Sequence, residues 1–177
     1  MKNFTIILII VLSVLGLIIW FTISQDTKNA KYRIGDNPQK LDPVGEIFEN
    51  QGQTHIKIGE SHPPYNSNPP TSGSHYIQPA SWGIYTKALR DEQAVHNLEH
   101  GGIWISYKDI DEATKANLKN IAKANNRSVI LSPRDANDSK IVLASWMRLE
   151  KLDSYDEVKI LDFILRNKNK SPEPLAR

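Results

Sequence analysis

The chain has 177 residues, 40% of them hydrophobic and 24% charged, a length and balance that suit one globular domain with a real core. The formal net charge is only +2 and the Lys and Arg residues are scattered among acidic ones, so no nucleic-acid-binding surface is expected. There is no cysteine, which excludes thiolate metal sites, disulfides and cysteine nucleophiles and leaves the redox compartment open.

In chain order, Phe4 to Ile23 is apolar except at Thr5, Ser13, Gly16 and Thr22, matching the roughly 20 residues an α-helix needs to cross a bilayer. Trp20 and Phe21 stand near its outer end, where aromatic rings favour the interface. The run outlasts the roughly 7–15 apolar residues of a signal peptide and ends at no small-x-small site. Residues 1–25 are therefore expected to be an uncleaved anchor, and no Cys follows that would make a lipoprotein. Lys2 precedes the run while Lys28, Lys31 and Arg33 follow it, a count that opposes an outside domain. Long domains translocate with limited regard to charge, so the expected localisation is the cell membrane, single-pass, with the C-terminal domain outside the cytoplasm. Residues 26–43, with the turn Gly35-Asp36-Asn37-Pro38, read as a tether.

The folded domain is expected over residues 44–174. Thr54, Ile56 and Ile58 alternate with His55 and Lys57, the period of a half-buried strand with His55 on its polar side. Pro63, Pro64, Pro69, Pro70 and Pro79, with Gly73 among them, exclude a helix or central strand between residues 61 and 82. An irregular stretch of that length inside a compact domain is functional or disordered, and Tyr65, His75, Tyr76 and Trp82 argue against disorder. Asp91 to His100 fits a short helix with Asp91 as cap, Ala94, Val95 and Leu98 as apolar stripe, and Gly101 at its end. Ile103 to Tyr107 alternates as a strand. Asp109-Ile110-Asp111-Glu112 opens a helix to about Ala124, with Ile110, Leu118, Ile121 and Ala122 inward and Lys115, Lys119 and Lys123 on a solvated face. Two apolar strands, residues 128–131 and 141–146, are joined through a turn and read as antiparallel. Ser154-Tyr155-Asp156-Glu157 starts a last helix to about Arg166 that buries Val158, Leu161 and Leu165. The fold class is α+β: a transmembrane helix, then one domain with a small mixed β-sheet packed by two or three helices. The order β-α-β-β-α at its end suits a thioredoxin-like C-terminal half.

His96 and His100 are four apart, so on a helix both rings share a face, whereas in a strand they would stand about 13 Å apart. With Glu99 they form H-x-x-E-H, the pattern of inverted zinc peptidases, but a helix ending at Gly101 is too short for that architecture. The preferred reading takes His75, and secondarily His62, from the Pro-rich loop as further ligands. Neutral imidazoles suit copper or zinc, with Glu99 as fourth ligand or as the acceptor that orients a ring. Met147 would be a soft axial ligand for copper. Pro69, Pro70, Gly73 and Gly101 shape the loop and the helix end. Thr71-Ser72-Gly73-Ser74 lacks the strand-turn-helix context of a nucleophile elbow, and no catalytic residue is assigned. The alternative is a cell-envelope protein-interaction module in which the His/Glu cluster only pins the loop.

The runs Tyr65 to Tyr76, Trp82-Gly83-Ile84-Tyr85 and Val95 to Ile105, continuing through Ala144-Ser145-Trp146, together resemble the prokaryotic family catalogued as domain of unknown function 3105. The resemblance covers about residues 44–174 and implies an N-terminal anchor before an extracytoplasmic domain. It implies no activity. The chain departs from it at Ser74, where a proline is expected before the histidine, and at Met147, where a glycine is.

Overall fold

The computed structural model describes residues 2–34 and 41–176. The first helix, α1, runs Lys2–Ala30, and its side chains are described at residues 7, 9–24, 26, 27 and 30. Among the described residues no helix is long and apolar enough to cross a membrane. Positions 4–6 and 8 of the expected span lie outside the described side chains, and the turn at residues 35–38 lies outside the described residues.

The strands and helices that follow are β1 (Glu46–Ile47), β2 (His55–Ile56), β3 (His75–Tyr76), β4 (Gly83–Ile84), α2 (Asp91–Glu99), β5 (Ile103–Tyr107), α3 (Glu112–Ala124), β6 (Val129–Pro133), β7 (Ile141–Ser145), β8 (Arg148–Leu152) and α4 (Glu157–Asn167). Six strands form a mixed sheet in the order β1-β8-β7-β5-β6-β4, while β2 and β3 pair in parallel as a small second sheet. The fold is thus α+β, as the patterning implies.

Alternation along the central strands divides the molecule into two layers around the sheet. Ile103, Ile105, Val129, Leu131, Ile141 and Leu143 face a core completed by Leu118, Ile121 and Ala122 of α3 and Ile160, Phe163 and Ile164 of α4. Trp104, Ile130, Val142 and Ala144 face the other way, against Ala94, Val95 and Leu98 of α2. Each fully buried Leu, Ile or Phe contributes about 1.5–3 kcal/mol, and this double coverage explains why β5 is buried along its whole length.

Several local expectations are corrected. The strands expected to pair with each other, β6 and β7, are separated by β5, which is parallel to β6 and antiparallel to β7. The antiparallel partner of β7 is β8, reached through Trp146 and Met147; Met147 adopts φ 62°, a left-handed turn conformation that glycine accepts more readily. Asp91 does not cap α2. Arg90 is the N-cap, without a side-chain bond, because the Asp91 carboxylate is taken by Arg134 at 2.8 and 2.7 Å. In the last helix Asp156 is the cap, accepting from the Lys159 amide at 3.0 Å. Val158 is consequently 77% exposed, and Ile160, Phe163 and Ile164 form the buried face. The alternation around His55 ends after Ile56, since the Glu60 amide bonds the Lys57 carbonyl at 3.0 Å and turns the chain, leaving Ile58 exposed.

The stretch after α1 does more than space the domain. Tyr32 is buried, its carbonyl accepts from Asn125 at 2.8 Å, and the Ile34 amide donates back to Asn125 at 3.0 Å.

Candidate metal centre

The Pro-rich loop is held by its own side chains and by the helix it faces. The Gly73 amide donates to the Gly52 carbonyl at 2.9 Å, and the His75 amide to the Thr54 carbonyl at 2.9 Å, which pairs β3 with β2. Gly73 sits at φ 108°, where a side chain is strained, and an added Cβ would lie 3.2 Å from Gln51. Pro69 and Pro70 are buried, with the Asn68–Pro69 bond cis. Arg134, 7% exposed, joins the loop to α2: it donates to Asn68 Oδ1 at 2.6 Å as well as to Asp91. Asn97 of α2 clamps the end of the loop, accepting from the Ala80 amide and donating to the Ala80 carbonyl.

The end of α2 is shaped by two glycines. Gly101, at φ 83°, donates to the Leu98 carbonyl and Gly102 to the Asn97 carbonyl, the paired bonds of a Schellman cap. A Cβ on Gly101 would come 2.4 Å from Asn169, and one on Gly102 2.4 Å from the Trp82 ring. Both glycines therefore admit close neighbours as well as ending the helix.

These constraints bring His55, His75, His96 and Glu99 together, with one donor atom from each lying within 4.8 Å of the others. His75 is fully buried, His96 5% and Glu99 2% exposed, while the His55 side chain is 47% exposed and forms the wall toward solvent. The His55 ring stacks on His96 with centroids 5.1 Å apart, and its Nε2 lies 3.8 Å from Glu99 Oε2.

Hydrogen bonds on the far side of each group set its protonation pattern. His75 Nδ1 is 2.8 Å from the Gly73 carbonyl and His96 Nδ1 is 2.6 Å from the Tyr76 carbonyl. A carbonyl only accepts, so each Nδ1 carries a proton, and in its neutral form each ring turns an Nε2 lone pair inward. Glu99 Oε1 accepts from Gln53 Nε2 at 2.7 Å, leaving Oε2 facing the rings. His75 Nε2 and Glu99 Oε2 are 2.9 Å apart, yet neither has a hydrogen-bond partner among the described residues. With His75 neutral, its Nε2 lone pair and the carboxylate oxygen repel in a buried site, where an uncompensated carboxylate costs several kcal/mol. A second proton on His75 makes the contact an ion pair, and a bound cation relieves it equally. The arrangement calls for positive charge between them. Burial pushes the His96 pKa below its ordinary value against the pull of the Tyr76 carbonyl, with His100 and His75 pushing the same way as burial, so His96 is poorly placed to supply that charge as a proton.

His100 lies at the edge of this group. Its Nε2 is 3.2 Å from His96 Nε2 and 3.3 Å from Glu173 Oε2. His62 lies apart: its Nδ1 is 2.8 Å from the Pro63 carbonyl and its Nε2 3.5 Å from Glu92. Met147 packs against the apolar cluster of Trp104 and Trp146. Sequence reasoning left His55 on a solvated strand face and missed Gln53, Arg134 and Glu173. The one available signal was that residues 53–56 and residue 75 stand on short extended segments; the parallel pairing that sets His55 beside His75 has no local signature.

The family model described as Protein of unknown function (DUF3105) matches residues 55–177 of the chain. The matched segment contains all four clustered residues and the whole sheet except β1. No curated protein and no solved structure matches.

Proposed function

The chain belongs to that family, and from this premise we propose that it is a membrane-anchored, extracytoplasmic domain that binds a transition metal, zinc or copper(II). The ion is held by Nε2 of His55, His75 and His96 and by Oε2 of Glu99. One observation carries the reading: His75 Nε2 and Glu99 Oε2, buried and without a hydrogen-bond partner among the described residues, meet beside the Nε2 of His96, and both imidazoles have their Nδ1 protons committed to backbone carbonyls. Outer partners of this kind orient metal ligands, and three nitrogens with one oxygen make a set suited to Zn²⁺ or Cu²⁺. Met147 packs against aromatic rings of the apolar cluster rather than joining the histidine group, and this favours these ions over copper(I), which prefers sulfur. His100 stands beside the site, His62 does not contribute, and no catalytic residue is assigned.

The test uses the full chain in detergent, without a His tag. We expect stoichiometric metal by elemental analysis after loading with Zn²⁺ or Cu²⁺. At 100 times the dissociation constant the ion adds about 2.7 kcal/mol to stability, which is roughly 5–10 °C in melting temperature for a chain of this size. Absence of both stoichiometric metal and a melting shift with either ion would overturn the reading in favour of a structural His/Glu cluster.

Anchoring is supported by the apolar side chains of α1: those from Ile7 to Ile23 that are described are 48–68% exposed, an apolar surface that a bilayer would cover. Protease protection of the C-terminal domain inside sealed cells, against its digestion from outside, would place it in the cytoplasm and sink this topology. The strand order β8-β7-β5-β6, with β7 antiparallel to β5 and β6 parallel to it, supports reading the C-terminal half as thioredoxin-like. That likeness is topological and implies no redox chemistry in a chain without cysteine.

A further inference from the structure

Four donors already surround the first position, which completes a tetrahedral set. His100 and Glu173 are left over, and neither their placement nor the backbone around them is explained by that site. Glu173 comes from the tail after α4, which returns across the end of α2. The Glu173 amide donates to the Glu99 carbonyl at 3.1 Å, and the amides of Leu175 and Ala176 both donate to the His100 carbonyl, at 3.0 and 2.9 Å. Asn169 locks the tail by accepting from the Ala176 amide and donating to its carbonyl, and Gly101 has no Cβ because Asn169 occupies that space. The tail is thus seated by main-chain bonds on the two residues, Glu99 and His100, whose side chains it joins.

Glu99, His100 and Glu173 bring one donor atom each within 4.8 Å of one another. Glu99 belongs to both groups, and its Oε2 is a buried atom with no hydrogen-bond partner. The 3.2 Å contact between His96 Nε2 and His100 Nε2 adds a second observation. His96 has its only proton on Nδ1, so in the metal-free protein His100 donates to the His96 lone pair. A cation on His96 would take that lone pair and leave His100 without its acceptor, and the His100 Nε2 proton would then pass to solvent or to its own Nδ1. His100 then faces Glu173 and the shared carboxylate.

We propose that His100, Glu173 and the shared Glu99 hold a second divalent transition metal ion beside the first, so that the loaded protein carries a metal pair bridged by Glu99. This rests on the reading that the first site binds metal. Two-metal centres place their ions about 3.5–4 Å apart with an anionic ligand between them, and Glu99 lies between the two donor groups. The first ion is enclosed by four protein ligands. The second has three, two of them on the solvent side, since His100 is 24% and Glu173 53% exposed. Its remaining coordination position is filled by water or a small oxyanion, and it is the ion that loads last and leaves first.

The experiment compares the full chain, without a His tag and freed of metal by chelation, with three variants, Glu173→Gln, His100→Gln and His75→Ala, each equilibrated with Zn²⁺ and separately with Cu²⁺. The wild type should hold two ions per chain, and Glu173→Gln and His100→Gln one each. With Cu²⁺ the electron paramagnetic resonance of the wild type should show a spin-coupled pair, and Glu173→Gln an isolated-ion signal. Glu173→Gln is a partly exposed isosteric change, so it folds and keeps the test decisive even where His100→Gln does not. One ion in the wild type, retained in Glu173→Gln and lost in His75→Ala, overturns the pair and leaves the first site standing. Two ions in all variants reduce the second to an adventitious surface ion. No ion in the wild type overturns both proposals.

Discussion

The two faces of the sheet are built by different physics. Against one face, α3 and α4 bury a continuous apolar layer around Leu118, Ile121, Phe163 and Ile164, with few polar groups to place. Against the other, α2 lays down a smaller apolar strip, and the rest is a proline-rich loop held by directed polar contacts from Arg134, Asn97, Gln51 and Gln53. Burial is tolerant of angle, whereas a hydrogen bond weakens steeply with it. The first face therefore supplies stability, and the second fixes the positions of the clustered His and Glu side chains.

The contrast makes graded predictions. Phe163→Ala should cost about 3–5 kcal/mol in denaturant unfolding while the folded fraction retains its metal affinity; an affinity loss at full folding would show that the two faces are not separable. Arg134→Ala removes the partner of Asp91 and the donor to Asn68. It should cost about 2–3 kcal/mol, less than a fully buried pair because Asp91 is 28% exposed, and should also weaken metal binding in an isothermal titration. If only stability falls, Arg134 does not position the loop for the site. Gln53→Ala takes the amide from Glu99 Oε1 and should lower metal affinity roughly 10–100-fold while the apo protein loses only about 1 kcal/mol. Equal binding by the variant would remove Gln53 from the site. The smallest effect belongs to Val158→Lys, expected within about 0.5 kcal/mol of wild type in thermal melts because the residue is on the solvent side of α4. A large loss there would restore the helix face that simple spacing implies.

Legibility follows the same division. The face covered by α3 and α4 is readable from periodicity: Leu118, Ile121 and Ala122 of α3 are buried as its spacing implies, while Asp111 rather than Asp109 caps that helix and leaves Ile110 before it and only partly buried. The last helix errs in phase because Asp156 rather than Ser154 caps it. The polar face is readable as composition but not as contacts. Pro, Gly and His crowded between residues 61 and 102 mark where most of the histidine cluster forms, and the four-residue interval from His96 on α2 to His100 at its C-cap brings their Nε2 atoms to 3.2 Å. His55 and Glu173 could not be found this way. His55 reaches the group through a two-residue parallel bridge, and Glu173 through a tail that crosses back over α2.

Local patterning was sufficient for the α+β class, the buried faces of the central strands, the existence of α2 and the neighbourhood of most of the His/Glu cluster, because those depend on residues a few positions apart. Which lone pairs meet was decided only in three dimensions. It required carbonyls of Gly73 and Tyr76 to take the Nδ1 protons, Gln53 to take one oxygen of Glu99, and strands distant in sequence to set His55 beside His75. Each of these is a directional contact between separate segments, which the packing of the whole chain positions and the order of residues in any one segment does not encode.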